Sequence, residues 1–284
     1  MPELPEVESV RQGLIHLVQG KVIQDIVIDW ERIIVTEQPL SDWIEHLKGQ
    51  RINTVERRAK FLIFRLDDWA LISHLRMEGK YHFYPADEVP ATKDKHTHVR
   101  FLFNDGSQLH YHDVRKFGRM ELVTPEAVKD YFLARKLGPE PNAEQFHLST
   151  FKTQLRQLKK PIKPLLLDQR VVAGLGNIYA DEVLFEAKIH PTRPANSLTD
   201  QEVAQLYAAI LKIMAAAIQA GGSSVRTYLN SLGEAGTYQE QLQVYGRPEE
   251  PCPRCGQLIS KIQFAGRGTH FCSHCQPVAC IKKA

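Results

Sequence analysis

The first hydrophobic pattern along the chain is helical. Val7, Val10, Leu14 and Leu17 recur at spacings of three and four residues, and polar residues fill most of the positions between them. Apolar positions at this period lie on one face of a helix. The pattern therefore predicts a helix over about 5–19 that packs one face on a core.

From residue 21 to residue 123 the pattern changes to short apolar or alternating runs. Asp67-Asp68 and the segment 104–107 are typical of hairpin turns between strands. Many short strands separated by turns predict an antiparallel β-sandwich that ends near residue 130. The strand-like runs lie at 22–23, 26–28, 61–64, 71–72 and 99–103.

The helical period returns after a Gly-Pro-Glu-Pro-Asn segment at 138–142, which is a candidate linker. Thr199 is followed three positions later by Glu202, a capping-box pattern for a helix start. The second half of the chain is therefore predicted to be mostly helical. Helices are predicted near 144–158, 162–172, 177–187, 199–219 and 223–230.

Composition and charge are ordinary for a soluble globular protein. The 284 residues are 43% hydrophobic and 24% charged, with a formal net charge of +3. The last 40 residues hold six basic and two acidic residues, and a second basic cluster comprises Arg156, Lys159, Lys160 and Lys163. Each cluster is either a solvated surface or a patch for a polyanion.

The beginning of the chain has no basic and apolar secretory pattern, and we find no apolar run of about 20 residues. We therefore expect a cytoplasmic protein that does not bind membranes. All five cysteines follow residue 250, and four of them form two CxxC pairs, Cys252/Cys255 and Cys272/Cys275. In a reducing compartment this spacing predicts a closed four-thiolate zinc site with a structural role. Cys280 lies outside the pattern.

Five further patterns each allow a functional and a structural interpretation. Arg267, at the tip of the segment between the cysteine pairs, is either a ligand contact or an exposed turn residue. The Gly174–Asn177 turn before a helix, with Asn177 suited to the N-cap, is either an anion site or a plain helix connection. Lys60 is either a phosphate or proton-transfer residue or a surface lysine.

Met77 and Phe117, next to arginines in a predicted sheet protein, are either core residues or apolar wedges of the kind that kink DNA. Pro2 and Glu3 are either a helix lead-in or reactive groups. Removal of Met1 leaves Pro2 as a secondary amine that titrates near roughly 8 and can attack an electrophilic carbon. Glu3 then stands beside it as a proton donor or acceptor.

The order of these motifs resembles bacterial formamidopyrimidine-DNA glycosylase over nearly the whole chain. The segments that carry the resemblance are 2–8, 57–60, 73–79, 113–118, 138–141 and 168–182, together with the cysteine pairs. The resemblance implies an α+β fold with an N-terminal helix plus antiparallel β-sandwich, a helix–two-turn–helix domain and a four-cysteine zinc finger. The implied domains are 1–133, 134–240 and 241–284, with damaged double-stranded DNA bound between the first two.

The implied activity is removal of 8-oxoguanine and formamidopyrimidines, followed by strand cleavage through β,δ-elimination. By resemblance, Pro2 forms a Schiff base with the sugar and Glu3 protonates its ring oxygen. Lys60 and Arg267 complete the catalytic set. Of the remaining residues, six contact the DNA or fill the space that the flipped base leaves, and six line the base pocket. These are His96, Arg115, Lys159, Asn177, Met77 and Phe117, and then Glu78, Ser223, Val225, Arg226, Thr227 and Tyr228.

The resemblance further implies one structural zinc ion and a monomeric bacterial protein associated with the nucleoid. Two alternatives stay open. An endonuclease VIII-type relative prefers oxidised pyrimidines, and the Met77, Arg115 and Phe117 triad argues against it. A non-catalytic zinc protein that binds DNA needs neither Pro2 nor Glu3.

Overall fold

A computed structural model of the protein describes residues 1–223 and 236–278. The chain divides into two compact units. The first comprises Met1–Arg135 and Gly221–Thr237, and the second comprises Lys136–Ala220 and Tyr238–Ala284. The division into 1–133, 134–240 and 241–284 stays a prediction.

The first unit is an N-terminal helix followed by two β-sheets. Its elements are α1 (Leu4–Val18), β1 (Ile23–Ile28), β2 (Ile34–Val35), α2 (Leu40–Leu47), β3 (Thr54–Arg58), β4 (Phe61–Arg65), β5 (Ala70–His74), β6 (Lys80–Tyr84), β7 (Thr97–Phe103), β8 (Gln108–His112), β9 (Arg119–Val123) and α3 (Ala127–Ala134). One sheet has the order β1-β7-β8-β6 and the other has the order β2-β9-β5-β4-β3. Both hairpins predicted at 67–68 and 104–107 are confirmed.

One core joins the two sheets and α1. The rings of Phe64 and Tyr81, on opposite sheets, lie 5.5 Å apart. The Tyr81 hydroxyl donates a 2.8 Å hydrogen bond to Ser73 Oγ. Val10 and Leu14 of α1 are buried in the same cluster. The predicted α+β fold, with a helix packed on a sandwich, is confirmed in this unit.

Two predictions for this unit need correction. The sandwich is not wholly antiparallel, because the two-residue strand β2 pairs in parallel with β9. The helices α2 and α3, eight residues each, were not predicted. Eight residues give barely two turns, so an amphipathic period does not stand out from the apolar runs around it.

The second unit is helical and ends in a β-hairpin. Its elements are α4 (Leu148–Arg156), α5 (Ile162–Leu167), α6 (Asn177–Glu186), α7 (Asp200–Gln219), β10 (Ser260–Phe264) and β11 (Arg267–Phe271), and β10 and β11 pair antiparallel. The predicted capping box at Thr199 and Glu202 is confirmed. The helix predicted at 223–230 lies almost wholly outside the described residues.

The helix predicted at 162–172 ends earlier, at Leu167. Gln169 stabilises the turn that replaces its last residues. Its side-chain NH₂ group donates to the carbonyls of Leu167 (3.1 Å) and Leu175 (2.9 Å), and its oxygen accepts from the Gly174 N–H (2.8 Å). Two helices joined by this compact turn form the expected helix–two-turn–helix element.

By length and composition α7 could cross a membrane, since it has 20 residues and a mean hydropathy of 1.2. This corrects the expectation that no segment of the chain is long and apolar enough. The core helix of a soluble domain passes the same test. One face of α7 is buried, with Leu206, Ile210 and Met214 inside the unit.

Candidate active site

The amino terminus approaches α1 as a short extended segment. Met1 is 48% exposed, whereas Pro2 and Glu3 are buried. The Pro2 nitrogen is bonded to Met1, so removal of this exposed residue turns a peptide nitrogen into a free amine. Glu3 is the N-cap residue of α1, with backbone angles outside the helical region. The sequence patterns for Pro2 and Glu3 therefore converge at one place, the start of the helix.

Glu6, which sequence reasoning missed, holds this terminus. Its carboxylate accepts the Glu3 N–H at Oε2 (2.7 Å) and the Ser223 N–H at Oε1 (2.7 Å). A side chain at Gly222 would meet Glu6 at 2.8 Å, and one at Gly236 would meet the Gly222 carbonyl at 2.3 Å. One carboxylate thus ties the N-terminal residues to the backbone on which the segment 224–235 begins.

Lys60 lies in the two-residue turn of the β3–β4 hairpin. Its partner in the turn, Ala59, has a φ of +52°, and Lys60 itself is only 4% exposed. Arg57 stabilises the turn by donating hydrogen bonds to the Glu8 carboxylate (2.8 Å) and to the Ala59 carbonyl (3.1 Å). Since the residue is buried, the interpretation of Lys60 as a surface lysine is wrong.

His74, at the end of β5, is a half-buried neutral neighbour of Lys60. Burial, together with the positive charges of Arg76 and Lys60, lowers the pKa of His74 to about 3. Its Nδ1 accepts the Arg76 N–H at 3.0 Å, so the remaining proton is on Nε2. The charge of Lys60 thus has an uncharged imidazole beside it at neutral pH.

The loop 114–118 is fixed by one buried carboxylate, that of Asp113. Asp113 accepts backbone N–H groups from Arg115 (3.0 Å), Phe117 (2.9 Å) and Gly118 (2.8 Å). Phe117 is nevertheless 47% exposed, and the Arg115 guanidinium lies 4.8 Å from its ring centroid. Phe117 is therefore not a core residue, and the core interpretation of its motif is wrong.

The turn 75–79, which carries Met77 and Glu78, packs beside that loop. An added Cβ at Gly79 or at Gly118 would meet the Tyr111 hydroxyl at 2.2 Å or 1.8 Å. Both segments thus lie against the same hydroxyl, which brings the two predicted wedge segments together. Met77 is half-buried and Glu78 is exposed. The ring of His96 packs against that of His112, the last residue of β8 in the other sheet, with centroids 5.5 Å apart.

In the second unit, the glycine-rich turn leads into α6. The N-cap residue is Gly176 and not Asn177, which is already helical. The Asn177 side chain is used elsewhere, because its Nδ2 donates to the carbonyl of Gly268 at 2.9 Å. The turn and the tip of the β10–β11 hairpin are therefore joined by a hydrogen bond.

That hairpin presents Arg267 to solvent. Ala265 and Gly266 form its turn with φ of +48° and +73°, the left-handed pair typical of a type I′ turn. Arg267 follows at once and is exposed. Lys159 is also exposed, whereas Lys163, predicted to belong to the same basic cluster, is 1% exposed and lies inside the unit. The basic patch is correspondingly smaller than predicted.

The four predicted metal ligands converge. Their sulfur atoms all lie within 4.8 Å of one another, with Cys252–Cys275 at 3.9 Å and Cys255–Cys272 at 3.5 Å. Tetrahedral zinc with Zn–S bonds of about 2.3 Å needs sulfur separations of about 3.8 Å. Backbone N–H groups of Arg254 and Cys275 also point at sulfur atoms, each at 3.4 Å. The four thiolates fit the one structural zinc ion of the protein.

Arg254 and Gln276 attach this centre to the helices. The Arg254 guanidinium donates to the Phe185 carbonyl (2.6 Å), pairs with Glu186 and stacks on the Phe185 ring. Gln276 bridges the Cys272 N–H and the Ile189 carbonyl, at 2.9 Å each. The predicted pocket residues Val225, Arg226, Thr227 and Tyr228, and Cys280, lie outside the described residues.

A buried helix N-terminus on a β-sandwich, a helix–two-turn–helix unit and a four-cysteine finger define a class of DNA-repair proteins with a zinc finger. Family models match in the same order along the chain. They are the formamidopyrimidine-DNA glycosylase N-terminal domain at residues 1–120, its H2TH domain at 137–229, and the zinc finger found in FPG and IleRS at 249–278. The chain belongs to the formamidopyrimidine-DNA glycosylase family.

Individual relatives are similar to this chain along nearly its whole length. The formamidopyrimidine-DNA glycosylase of Enterococcus faecalis is 56% identical over 277 residues, 97% of each chain. That of Bacillus subtilis is 49% identical over 276 residues, covering 97% of this chain and 99% of the relative. The Lactococcus lactis Fpg in complex with DNA that contains an abasic site has a TM-score of 0.91 at 47% identity, covering 97% and 100% of the chains.

Proposed function

We propose that the protein excises oxidised purines from duplex DNA through a Schiff base on Pro2 and then cleaves the strand by β,δ-elimination. The class of enzyme follows from the family, since the chain is a DNA glycosylase of base-excision repair. The observation that carries the proposal is the N-terminus, where Pro2 directly precedes the buried Glu3, whose N–H is held by the Glu6 carboxylate. The Lactococcus lactis Fpg has been solved in complex with DNA that contains an abasic site and with DNA that contains N7-benzyl-Fapy-dG.

The chemistry begins once Met1 is removed. The Pro2 lone pair attacks C1′ of the damaged nucleotide, and the bond from C1′ to the base breaks with its electron pair on the base. The Pro2 nitrogen then gives up its N–H proton, and the departing base takes a proton. Glu3 gives a proton to the sugar oxygen O4′, so that the ring opens and leaves an iminium ion on Pro2. Loss of a proton from C2′ then expels the 3′ phosphate, and a second elimination expels the 5′ phosphate.

Lys60 and Arg267 support the eliminations in this proposal. The buried Lys60 is held in a rigid hairpin turn beside neutral His74, which suits a group that contacts phosphate or moves a proton. Arg267 is exposed at a hairpin tip fixed by Asn177. The N-terminus of α6 adds backbone N–H groups, which favour a phosphate.

The remaining residues hold and open the duplex. Exposed Phe117 and half-buried Met77 belong to two segments that both pack against the Tyr111 hydroxyl, and in this proposal their side chains fill the space of the everted base. Arg115, stacked on Phe117, pairs with the orphaned base. His96 and Lys159 contact phosphates, and Glu78, Ser223, Val225, Arg226, Thr227 and Tyr228 line the pocket for the lesion. We further propose a monomer in the bacterial cytoplasm, at the nucleoid, that does not bind membranes.

Glu3→Gln tests the proposal against its two alternatives. Without the proton donor we expect excision of 8-oxoguanine from a duplex to fall at least 100-fold while the Kd for the duplex stays within a few fold. Glu37→Gln, an exposed change on the same unit, is the control. Full activity in the Glu3 variant would point to a binding protein, and faster removal of thymine glycol than of 8-oxoguanine would point to the endonuclease VIII-type alternative.

A further inference from the structure

The second unit contains a buried ion pair to which the proposed function gives no role. Lys163 of α5 and Asp181 of α6 have side chains that are 1% and 0% exposed, and Nζ lies 2.7 Å from Oδ1. The contact is short, but its angles do not satisfy hydrogen-bond geometry at Oδ1. Both groups also make hydrogen bonds to a neighbouring segment of the chain.

The neighbour is strand β11, directly after Arg267. Lys163 Nζ donates to Thr269 Oγ1 (2.8 Å) and to the Gly268 carbonyl (3.1 Å). Asp181 Oδ2 accepts the backbone N–H of His270 at 2.9 Å, and His270 Nδ1 lies 3.2 Å from the same oxygen. Three successive residues of the strand are thus bound by the two members of one ion pair.

The Gly268 carbonyl joins this network to the glycine-rich turn. It accepts from both Lys163 and Asn177, the latter at 2.9 Å. Since Gly268 follows Arg267 in the chain, the backbone beside Arg267 is fixed by one side chain from each helix of the helix–two-turn–helix element. Arg267 and the N-terminus of α6 are therefore held in one geometry by the buried Lys163 and the half-buried Asn177.

Stability alone does not explain the pair. Replacing a buried ion pair with apolar side chains of similar size is often neutral or stabilising, whereas breaking it by removal of one partner is costly. An apolar pair would fill the same space but would bind neither Thr269 nor His270. What the ionic pair adds is a fixed hairpin position.

We propose that Lys163 and Asp181 are positioning residues, which set Arg267 against the N-terminus of α6 so that both grip the phosphates of one damaged strand. This inference rests on the proposed function, in which Arg267 binds phosphate. Lys163 and Asp181 need not touch DNA, because they act through the position of the β10–β11 hairpin.

The test compares the single variants Lys163→Met and Asp181→Leu with the double variant that carries both. Each is measured for its melting temperature, its zinc content and its Kd for a duplex with a tetrahydrofuran abasic analogue at several salt concentrations. We expect the single variants to melt early and the double variant to melt close to the native protein. Its Kd should still be about tenfold higher, with a salt slope smaller by about one phosphate contact, roughly 0.9.

A double-mutant cycle with Arg267→Gln shows whether the effect passes through the arginine. We expect the variant with all three changes to bind no more weakly than Arg267→Gln alone. Thr269→Val, which keeps the shape of the side chain but removes the acceptor for Lys163, should raise the Kd about threefold at an unchanged melting temperature. Lys152→Met, which breaks the exposed pair with Asp200, is the matched control and should bind like the native protein.

The outcomes separate two failures. Native binding by the double variant, or additive losses in the cycle, would overturn the positioning role and leave the proposed function intact. If Arg267→Gln binds DNA as tightly as the native protein, the phosphate role of Arg267 fails, and the positioning role fails with it. Should the double variant not fold, the Thr269→Val measurement decides, because native binding there contradicts the proposal.

Discussion

At the scale of single residues, exposure separates the side chains that stabilise the fold from those available to DNA. Phe117 is 47% exposed although it is large and aromatic. Asp113 beneath it is fully buried and has its carboxylate saturated with backbone N–H groups. The aromatic ring is thus displayed on a rigid support, and its apolar surface is not used within the unit.

Phe117→Ala should therefore change binding and leave folding unaffected. We expect the free energy of unfolding to change by less than about 0.5 kcal/mol, as at other surface positions. The Kd for a lesion duplex should rise about tenfold, since stacking of a base on an aromatic ring contributes roughly 1–3 kcal/mol. Leu133→Ala, at a residue that is 62% exposed, is the control. A large loss of stability with unchanged binding would support the alternative interpretation, in which Phe117 is a core residue.

His74 gives the fold a dependence on pH that can be isolated. Its pKa is about 3 in the folded protein and near 6.5 in the unfolded chain, so between these values the unfolded chain binds the extra proton. Stability is therefore full above pH 6.5 and falls as the pH decreases, by about 2 kcal/mol at pH 5 from this group. His74→Asn, which keeps an acceptor for the Arg76 N–H, should make urea unfolding less sensitive to pH between 7 and 5. If the change in unfolding free energy between pH 7 and pH 5 is the same in the variant and the native protein, the His74 imidazole is not held neutral in the folded state.

At the scale of elements, the zinc centre fixes a hairpin and does no chemistry. The four thiolates would fill the coordination sphere of a tetrahedral zinc ion, and Arg254 and Gln276 connect the knuckles to the end of α6 and to Ile189. Metal binding is therefore coupled to folding of the C-terminal segment.

Removal of the zinc should disorder the hairpin and leave the sandwich folded. With a chelator we expect loss of one zinc per chain and at least a tenfold weaker Kd for duplex DNA. Tryptophan fluorescence should change little, because Trp30, Trp43 and Trp69 all lie in the first unit. Re-addition of zinc should restore binding. Native affinity in the metal-free protein would contradict this account of the finger.

The elements also show how far sequence reasoning reaches. Strands β4, β5 and β7 were found because their apolar runs stand between clear turns, whereas β6 and β8 carry tyrosine and histidine and gave no such signal. The site residues came from local motifs at the N-terminus and in the cysteine pairs. Glu6 was missed because its partner Ser223 lies 217 positions away, and Lys163 because its burial depends on a distant hairpin. Such contacts depend on tertiary packing and leave no periodic trace.

At the scale of the whole molecule, net charge says little about DNA. The chain has a formal net charge of only +3, and Lys163, one of the four basic residues of the second cluster, is buried. Arg267 and Lys159 are exposed, and the backbone beside Arg267 is fixed by Lys163 and Asn177, which suits the proposed role of Arg267 in binding a phosphate. In this account each unit contributes phosphate contacts, and the covalent step belongs to the N-terminus of the chain.

The central claim is that this covalent step occurs on Pro2. The most direct test is borohydride trapping of the Met1-free protein on a duplex that contains 8-oxoguanine, followed by digestion and mass spectrometry of the cross-linked peptide. We expect a single adduct on the N-terminal peptide, at the Pro2 nitrogen. An adduct on a lysine such as Lys60, or no adduct from a protein that excises the base, would contradict the account.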